Sequence, residues 1–267
     1  RDQLDIAGQF DKRITAQLAA YSAFNEVIFL QLSESIEDRR KTSGRASIAA
    51  LKRLQLNHHG EPVAWGNGVT VTIQDLNGLL PQLFPAHFLW PELLRRRSFD
   101  DTEIAAYLGI WQDLHDADKQ SWAAGEIEPD ALPSGGTYPD GFAQNSKVLE
   151  WVFADRPAVL ADLLQFSDIN ADFDTNFLNV PNALLESLFT PSVSTGIGDL
   201  RKQPQVTMNR VLQLLPQSMR RDNLTISESG KLVVKVEVNM NGAHWRQRRT
   251  LRLVASSKPP FEVILNN

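Results

Sequence analysis

Carboxylate side chains are concentrated in one stretch near the middle of the sequence. Six of them fall within eighteen positions: Asp113, Asp116, Asp118, Glu126, Glu128 and Asp130. Ca²⁺ binds about six to eight hard oxygen ligands, which carboxylates and backbone carbonyls of a loop can supply. The spacing is not that of an EF-hand loop, because the D-x-D-x-D-G run is absent. The stretch predicts either a solvated acidic loop or a calcium site, whose ligands are then Asp113, Asp116, Asp118 and Glu126.

A second and weaker acidic set follows at Asp168, Asp172 and Asp174. It could form a separate metal site, although such a set is more often a polar turn. The adjacent pair His58 and His59 and the single His115 are expected at the surface, because neighbouring loop residues point different ways and hard ions prefer oxygen. No nucleophile motif, H-E-x-x-H run or Walker loop is present.

Composition narrows the range of functions. The 267 residues contain no cysteine, which excludes disulfides, thiolate metal sites and cysteine nucleophiles. The net charge of −5 argues against nucleic acid as the main ligand, because phosphate binding needs a basic surface. Hydrophobic content of 42% is ordinary for a folded domain.

The first helix or strand that the sequence predicts is a long helix over residues 1–40. Its apolar residues recur mostly every three or four positions, and no proline interrupts them. They are Ile6, Phe10, Ile14, Leu18, Tyr21, Ile28, Leu32 and Ile36. We expect this helix to be part of a longer one. A second short helix is expected over 46–56.

Period-two segments then appear near both ends of the sequence. The alternation in 69–73 after Gly66-Asn67-Gly68 predicts a β-hairpin with the strand over 62–65. Segments 231–238, 245–254 and 261–265 predict an antiparallel meander, with a further short strand over 224–226.

Leucine-rich segments with helical spacing fill the middle of the chain. They cover residues 88–97, 100–113, 145–151, 158–166, 183–189 and 208–215. An isolated hairpin is marginally stable, so the first hairpin needs the C-terminal meander as its partner. The sequence therefore predicts an α+β fold, a pilin-like domain of residues 1–75 and 222–267 interrupted by a mainly α-helical domain of residues 76–221.

The order of these elements resembles the type II secretion system protein K family, the large minor pseudopilins of the general secretion pathway. Three segments carry the resemblance: V-T-V-T-I-Q-D-L-N-G-L-L at 69–80, W-Q-D-L-H-D-A-D at 111–118 and N-F-L-N-V-P-N-A-L-L-E-S-L at 176–188. Each segment alone is unspecific, but their order and spacing together cover the whole chain.

The resemblance implies a non-enzymatic role in protein export across the outer membrane of a Gram-negative bacterium. It implies a periplasmic domain anchored in the inner membrane by an apolar transmembrane extension of the first helix. The domain is expected to cap the pseudopilus tip with I- and J-type minor pseudopilins and to help initiate assembly. It also implies calcium in the inserted domain. A type IV pilus minor pilin is the related alternative, and a metal-dependent hydrolase that uses the acidic loop is the alternative from another class.

The first helix is the predicted surface for partners. Small residues at Ala16, Ala20 and Ala23 lie beside Ile14, Leu18 and Tyr21, and small side chains allow another helix to approach closely. The alternative is that the small residues pack only on the protein's own sheet.

Overall fold

A computed structural model describes residues 2–37, 56–115, 147–203, 205–254 and 258–266. The chain divides into two compact units. The sheet unit comprises Arg1–Asp75 and Glu228–Asn267, and the helical unit comprises Leu76–Ser227. An α+β fold interrupted by a helical insertion is therefore confirmed.

The helices and strands are given in chain order. They are α1 (Asp2–Glu37), β1 (Val63–Gly66), β2 (Val69–Asp75), a 3₁₀ turn (Leu76–Gly78), β3 (Leu80–Pro81), α2 (Leu89–Arg96), α3 (Asp101–Asp113), α4 (Lys147–Val152), α5 (Pro157–Phe166), β4 (Ser167–Asp168), α6 (Asn182–Leu188), α7 (Pro191–Arg201), α8 (Met208–Leu214), a second 3₁₀ turn (Gln217–Met219), β5 (Lys231–Met240), β6 (Ala243–Leu253) and β7 (Phe261–Asn266).

The sheet unit contains a five-stranded antiparallel sheet in the order β1-β2-β5-β6-β7. Alternate residues of β2 and β5 project to one face, where α1 packs on them. The core on this face is aliphatic: Val69, Val71, Ile73, Leu232, Val234, Val236, Val238 and Leu251 are all buried. Apolar residues alternate in the sequence of these strands because every second side chain faces α1.

Two Asn-Gly turns connect neighbouring antiparallel strands of the sheet. Asn67 and Gly68 join β1 to β2, and Asn241 and Gly242 join β5 to β6. All four residues have positive φ, between 51° and 78°. Asn-Gly is the preferred pair for such hairpins, because the twist of this turn matches the twist of the strands.

The helical unit has a core that is rich in large aromatic rings. Trp90 and Trp111 are fully buried with centroids 4.6 Å apart, and Tyr107 stacks on Phe153 with centroids 4.9 Å apart. The start of α3 is a capping box, as the acidic residues before it predict. Asp100 accepts a hydrogen bond from Glu103 N, and Glu103 accepts one from Asp100 N.

Two local predictions are wrong. The sequence after Thr190 was not predicted to be helical, yet α7 begins at Pro191, whose fixed φ suits the first helical position.

Residues 224–226 do not form a strand of the meander. They belong to the helical unit, because Thr225 N donates to Thr175 O and Thr175 N donates to Asn223 O, each at 2.9 Å. The predicted short helix over 46–56 lies outside the described residues except for Leu56.

Candidate interaction surface

The buried face of α1 is formed by small and aliphatic side chains. Ala16 and Ala20 are completely buried and Ala23 nearly so, together with Phe24, Val27 and Ile28. They pack on the aliphatic face of the sheet. The structure therefore supports the alternative in which the small residues contact the protein's own sheet. Small side chains allow the helix to lie close to the strands, and this close packing leaves no access to a partner.

A second row of apolar residues on α1 is exposed, and we call it the α1 ridge. It consists of Ile6, Phe10, Ile14, Leu18 and Tyr21, with 66%, 65%, 38%, 61% and 51% of each residue exposed. These positions are separated by three or four residues, so they lie along one side of the helix. Single exposed apolar residues are common, but a continuous row of five indicates a surface that binds another protein.

A groove of about 580 Å³ lies between the α1 ridge and β6. Ile14, Leu18 and Tyr21 form one wall, and the other includes Trp245 and Arg249. The Arg249 guanidinium lies 4.6 Å from the ring centroid of Phe24 and 5.8 Å from that of Tyr21. Such cation–π contacts hold the arginine against the helix.

The position of α1 on the sheet is reinforced at two further points. Trp65 Nε1 donates to Glu26 Oε2 at 2.8 Å, which joins β1 to the helix. The guanidinium of Arg13 lies 5.6 Å from the ring centroid of Trp245. These contacts hold α1 against the sheet from Arg13 onward, which includes Leu18 and Tyr21 of the ridge, whereas residues 6–15 of the helix are all exposed. A surface held in this way loses less entropy when a partner binds. Trp245 and Arg249 are not among the residues that the sequence predicts to bind a partner. The signal that could have identified them is the alternation in β6, which places both on the side of the sheet that faces α1.

The candidate calcium site falls mainly outside the described residues. Asp113, the last residue of α3, is buried, whereas Asp116, Asp118, Glu126, Glu128 and Asp130 lie in 116–146, which the structure does not describe. Calcium binding by this stretch remains a prediction.

All three members of the weaker acidic set lie within the residues that the structure describes. Asp168 is buried and accepts hydrogen bonds from the backbone and side-chain nitrogens of Asn170, whereas Asp174 is exposed. Within the described ranges, no three His, Cys, Asp or Glu side chains are grouped so that they could hold a metal ion. The structure gives no support to a metal site at Asp168, Asp172 and Asp174, and the Asp168–Asn170 bonds instead indicate a polar turn.

Two histidines that were expected at the surface have structural roles. His115 is buried, and its Nδ1 lies 2.9 Å from Trp111 O. His58 lies in the sheet unit with Nδ1 2.8 Å from Glu228 Oε1 and Nε2 3.2 Å from Gln31 Oε1. The surface expectation is wrong for His115, whereas His58 and His59 are half-buried. Local sequence cannot show which long-range partner a polar ring will meet.

A further buried histidine, His87, was not identified from the sequence. Its Nε2 lies 3.0 Å from Thr175 Oγ1 and 3.1 Å from Phe173 O. Burial lowers the pKa of His87 to about 4, although the hydrogen bond with Phe173 opposes this effect. His87 is therefore neutral at pH 7 and joins the start of α2 to the segment after β4.

The chain leaves the sheet unit after Asp75 and returns to it at Glu228. In each unit, a side chain next to these two points makes a hydrogen bond to the backbone of the other segment. In the sheet unit, buried Asp75 accepts a hydrogen bond from Ser229 N at 3.0 Å. In the helical unit, Asn77 Nδ2 donates to Ser227 O at 2.7 Å. These bonds hold the outgoing and returning segments beside each other within each unit.

Comparison with known proteins gives one informative result. No protein-family model matches the sequence, and no curated protein sequence matches it. Among solved structures, the chain is similar to one from "The Crystal Structure of the GspK-GspI-GspJ complex from enterotoxigenic Escherichia coli Type 2 Secretion System". The alignment covers 100% of this chain and 98% of the other, with a TM-score of 0.54 and 12% sequence identity. The two chains share a fold.

This similarity confirms the fold that the resemblance to the K family predicted. It spans both the sheet unit and the helical unit, because the alignment covers the whole chain. In the described part of the chain, no helix is both long enough and apolar enough to cross a membrane.

Proposed function

We propose that this protein is a K-type minor pseudopilin of a type II secretion system. The observation that carries the proposal is the exposed α1 ridge, in a chain whose whole length shares the fold of a chain from a GspK–GspI–GspJ complex. A helix with a continuous row of exposed apolar residues is suited to helix–helix association.

The proposed partners are I- and J-type minor pseudopilins. An apolar helix of a partner would lie along the α1 ridge and reach the groove beside Trp245. Apolar side chains from both helices would then leave water together, which is the main driving force for such association. Tyr21 and Trp245 would contribute most, because large aromatic residues dominate binding energy at interfaces.

The proposed role is mechanical rather than catalytic. The protein would cap the tip of a pseudopilus and help to initiate its assembly, and the helical unit would block the addition of a further subunit. It would act in the periplasm of a Gram-negative bacterium, anchored in the inner membrane by an apolar extension of α1. Calcium bound by the acidic stretch after α3 would order that segment, since metal binding is coupled to folding.

The experiment is co-elution with the soluble I- and J-type domains on a sizing column. We expect a stable ternary peak with this chain, and loss of that peak with Leu18→Glu, which places a charge in the centre of the ridge. The matched control is Thr15→Glu, because Thr15 is exposed on the same helix but lies outside the ridge.

Two results would contradict the proposal. One is a monomer under every condition when the partner domains are shown to be folded. The other is an unchanged ternary peak with Leu18→Glu. A chelator added to the same column tests the calcium proposal separately, since the ternary peak can persist while the acidic stretch loses its ion.

A further inference from the structure

Two exposed phenylalanine rings contact each other on the surface of the helical unit. Phe84 lies between β3 and α2, Phe173 lies between β4 and α6, and they are 41% and 46% exposed. Their ring centroids are 5.4 Å apart, and the ring planes meet at 73°. Among the described residues of the helical unit, no other large hydrophobic side chain is more exposed. Single exposed apolar residues are common, but two rings in contact form a patch that a partner can cover.

The backbone beneath both rings is held by hydrogen bonds. Phe173 O accepts a bond from Asn223 Nδ2 at 2.9 Å and lies 3.1 Å from His87 Nε2. The His87 ring also packs edge-to-face with Phe173, with centroids 5.5 Å apart. Phe84 N donates to Pro81 O at 3.3 Å. The rings are therefore held in position without a partner, which lowers the entropy that binding costs.

Exposed carboxylates flank the two rings. Asp174 follows Phe173 directly, and Asp222 precedes Asn223, the residue that bonds to Phe173 O. Both aspartates are exposed, and neither makes an ion pair within the described part of the chain. An apolar partner alone would remove water from these carboxylates without replacing its hydrogen bonds, which is unfavourable.

The neighbouring cations do not cancel this negative charge. Burial lowers the pKa of His87 to about 4, so its ring is neutral at pH 7. Arg220 is turned to the backbone, where its Nε donates to Leu215 O at 3.1 Å. Arg221 is exposed beside Asp222, which leaves two exposed aspartates for one exposed guanidinium. The surface therefore favours a partner that brings a cation.

We infer that Phe84 and Phe173, with Asp174 and Asp222 beside them, form a docking surface for an arginine-bearing segment of another protein. A guanidinium group can lie flat on a phenyl ring while the N–H groups at its edge bond to a carboxylate. The surface offers both kinds of group in one place. Arginine is favoured over lysine, because an ammonium group is not planar and cannot stack on a ring in this way.

A membrane fits this surface less well. Phenylalanine rings can enter a bilayer interface, but binding to anionic lipids also requires basic residues. Here Asp174 and Asp222 would be brought against lipid phosphates, and like charges repel. The inference does not rest on the proposed function, because all of its residues belong to the helical unit and none to the α1 ridge.

The test uses the whole chain and a labelled peptide of alternating Arg and Gly. The probe control has citrulline in place of arginine, which keeps the shape and removes the charge. Binding is followed by fluorescence anisotropy at low salt. We expect Asp174→Asn and Asp222→Asn each to weaken the arginine peptide about threefold. Glu150→Gln removes an exposed carboxylate from α4 and should leave the affinity unchanged.

The rings are tested by variants that keep an apolar side chain. Phe84→Leu and Phe173→Leu should each weaken the arginine peptide about threefold, because the aromatic face is lost. Circular dichroism of these variants checks that the fold is retained. Phe10→Leu makes the same change at an exposed ring of α1 and should have no effect. Amide chemical shifts around Phe84 and Phe173 locate the peptide.

Several results would overturn the inference. They are equal binding of the citrulline and arginine peptides, equal weakening by Glu150→Gln or Phe10→Leu, and chemical shifts that lie elsewhere. Stronger binding to phosphatidylcholine vesicles than to the arginine peptide would also overturn it, in favour of a membrane surface. Loss of pseudopilin co-elution would leave this result unaffected.

Discussion

The two units of this protein bury their cores in different ways. The sheet unit uses aliphatic residues on alternating strand positions, and small residues bring α1 close to them. The helical unit uses short helices around a few large rings, with Trp90, Trp111 and Phe153 fully buried. The sheet unit leaves an apolar row of α1 exposed, which a partner can cover. We therefore expect the stability of the helical unit to depend on individual aromatic contacts, and the stability of the sheet unit to depend on its turns and strand register.

The largest effect is expected in the aromatic core of the helical unit. Trp90→Ala should lower the free energy of unfolding by about 3–5 kcal/mol, because it leaves a large cavity beside Trp111. Urea denaturation followed by circular dichroism measures this loss. Phe84→Ala is the control, since Phe84 is 41% exposed and should cost less than about 1 kcal/mol. Equal losses for both variants would show that the core does not depend on the buried rings.

The next effect is a pH dependence that originates in the helical unit. The pKa of His87 is about 4 in the folded protein and 6.5 in a free imidazole, so the unfolded chain takes up the proton first as the pH falls. The contribution of His87 to stability is complete above pH 6.5 and is lost between pH 6.5 and about 4. The loss amounts to about 3 kcal/mol.

Carboxylates titrate in part of the same range, so the measurement compares His87→Gln with the natural protein at each pH. The variant should be less stable at pH 7 and should lose less stability on acidification. An NMR titration of the ring that gives a pKa near 6.5 for His87 would contradict this account.

A smaller effect is expected at the turns of the sheet unit. A Cβ added at Gly68 would lie 2.1 Å from Asn239 O, whereas one added at Gly242 meets nothing within 4 Å. Both glycines have positive φ. We expect Gly242→Ala to cost about 1 kcal/mol from backbone conformation alone. Gly68→Ala should cost about 2–3 kcal/mol, because β2 must also move away from β5. Similar thermal denaturation midpoints for the two variants would show that contact with Asn239 is unimportant.

The smallest effect on stability distinguishes the two faces of α1. Ala20→Leu should destabilise the sheet unit by about 1–3 kcal/mol, because Ala20 is completely buried against the strands. Leu18→Ser should change the free energy of unfolding by less than about 0.5 kcal/mol, because Leu18 is 61% exposed. Chemical denaturation of both variants provides the measurement. A large loss for Leu18→Ser would mean that the ridge contributes to the fold rather than to association.

The parts of the fold that could be predicted from the sequence are those with local causes. The alternation in 231–238 and the Asn-Gly pairs follow from the period of a strand and from backbone sterics. The faces of α1 could not be separated, because apolar and small residues occur on adjacent sides of the helix. Which side meets the sheet depends on the strands, which come from distant parts of the chain.

The surroundings of the buried polar groups could not be predicted either, because their partners are also distant in the sequence. His87, His58 and Asp75 are held by residues 86, 170 and 154 positions away in sequence, namely Phe173, Glu228 and Ser229. No local pattern marks such pairs. The opposition of Lys235 and Arg248 likewise becomes apparent only from the register of β5 and β6.

The proposal that the α1 ridge contacts I- and J-type minor pseudopilins is tested most directly by site-specific photo-crosslinking. A photoreactive phenylalanine derivative is placed at position 18, and in a second variant at position 15, before mixing with the I- and J-type domains. We predict a crosslinked partner from position 18 and none from position 15. Crosslinks from position 15 alone, or from neither position in a complex that still co-elutes, would contradict the claim.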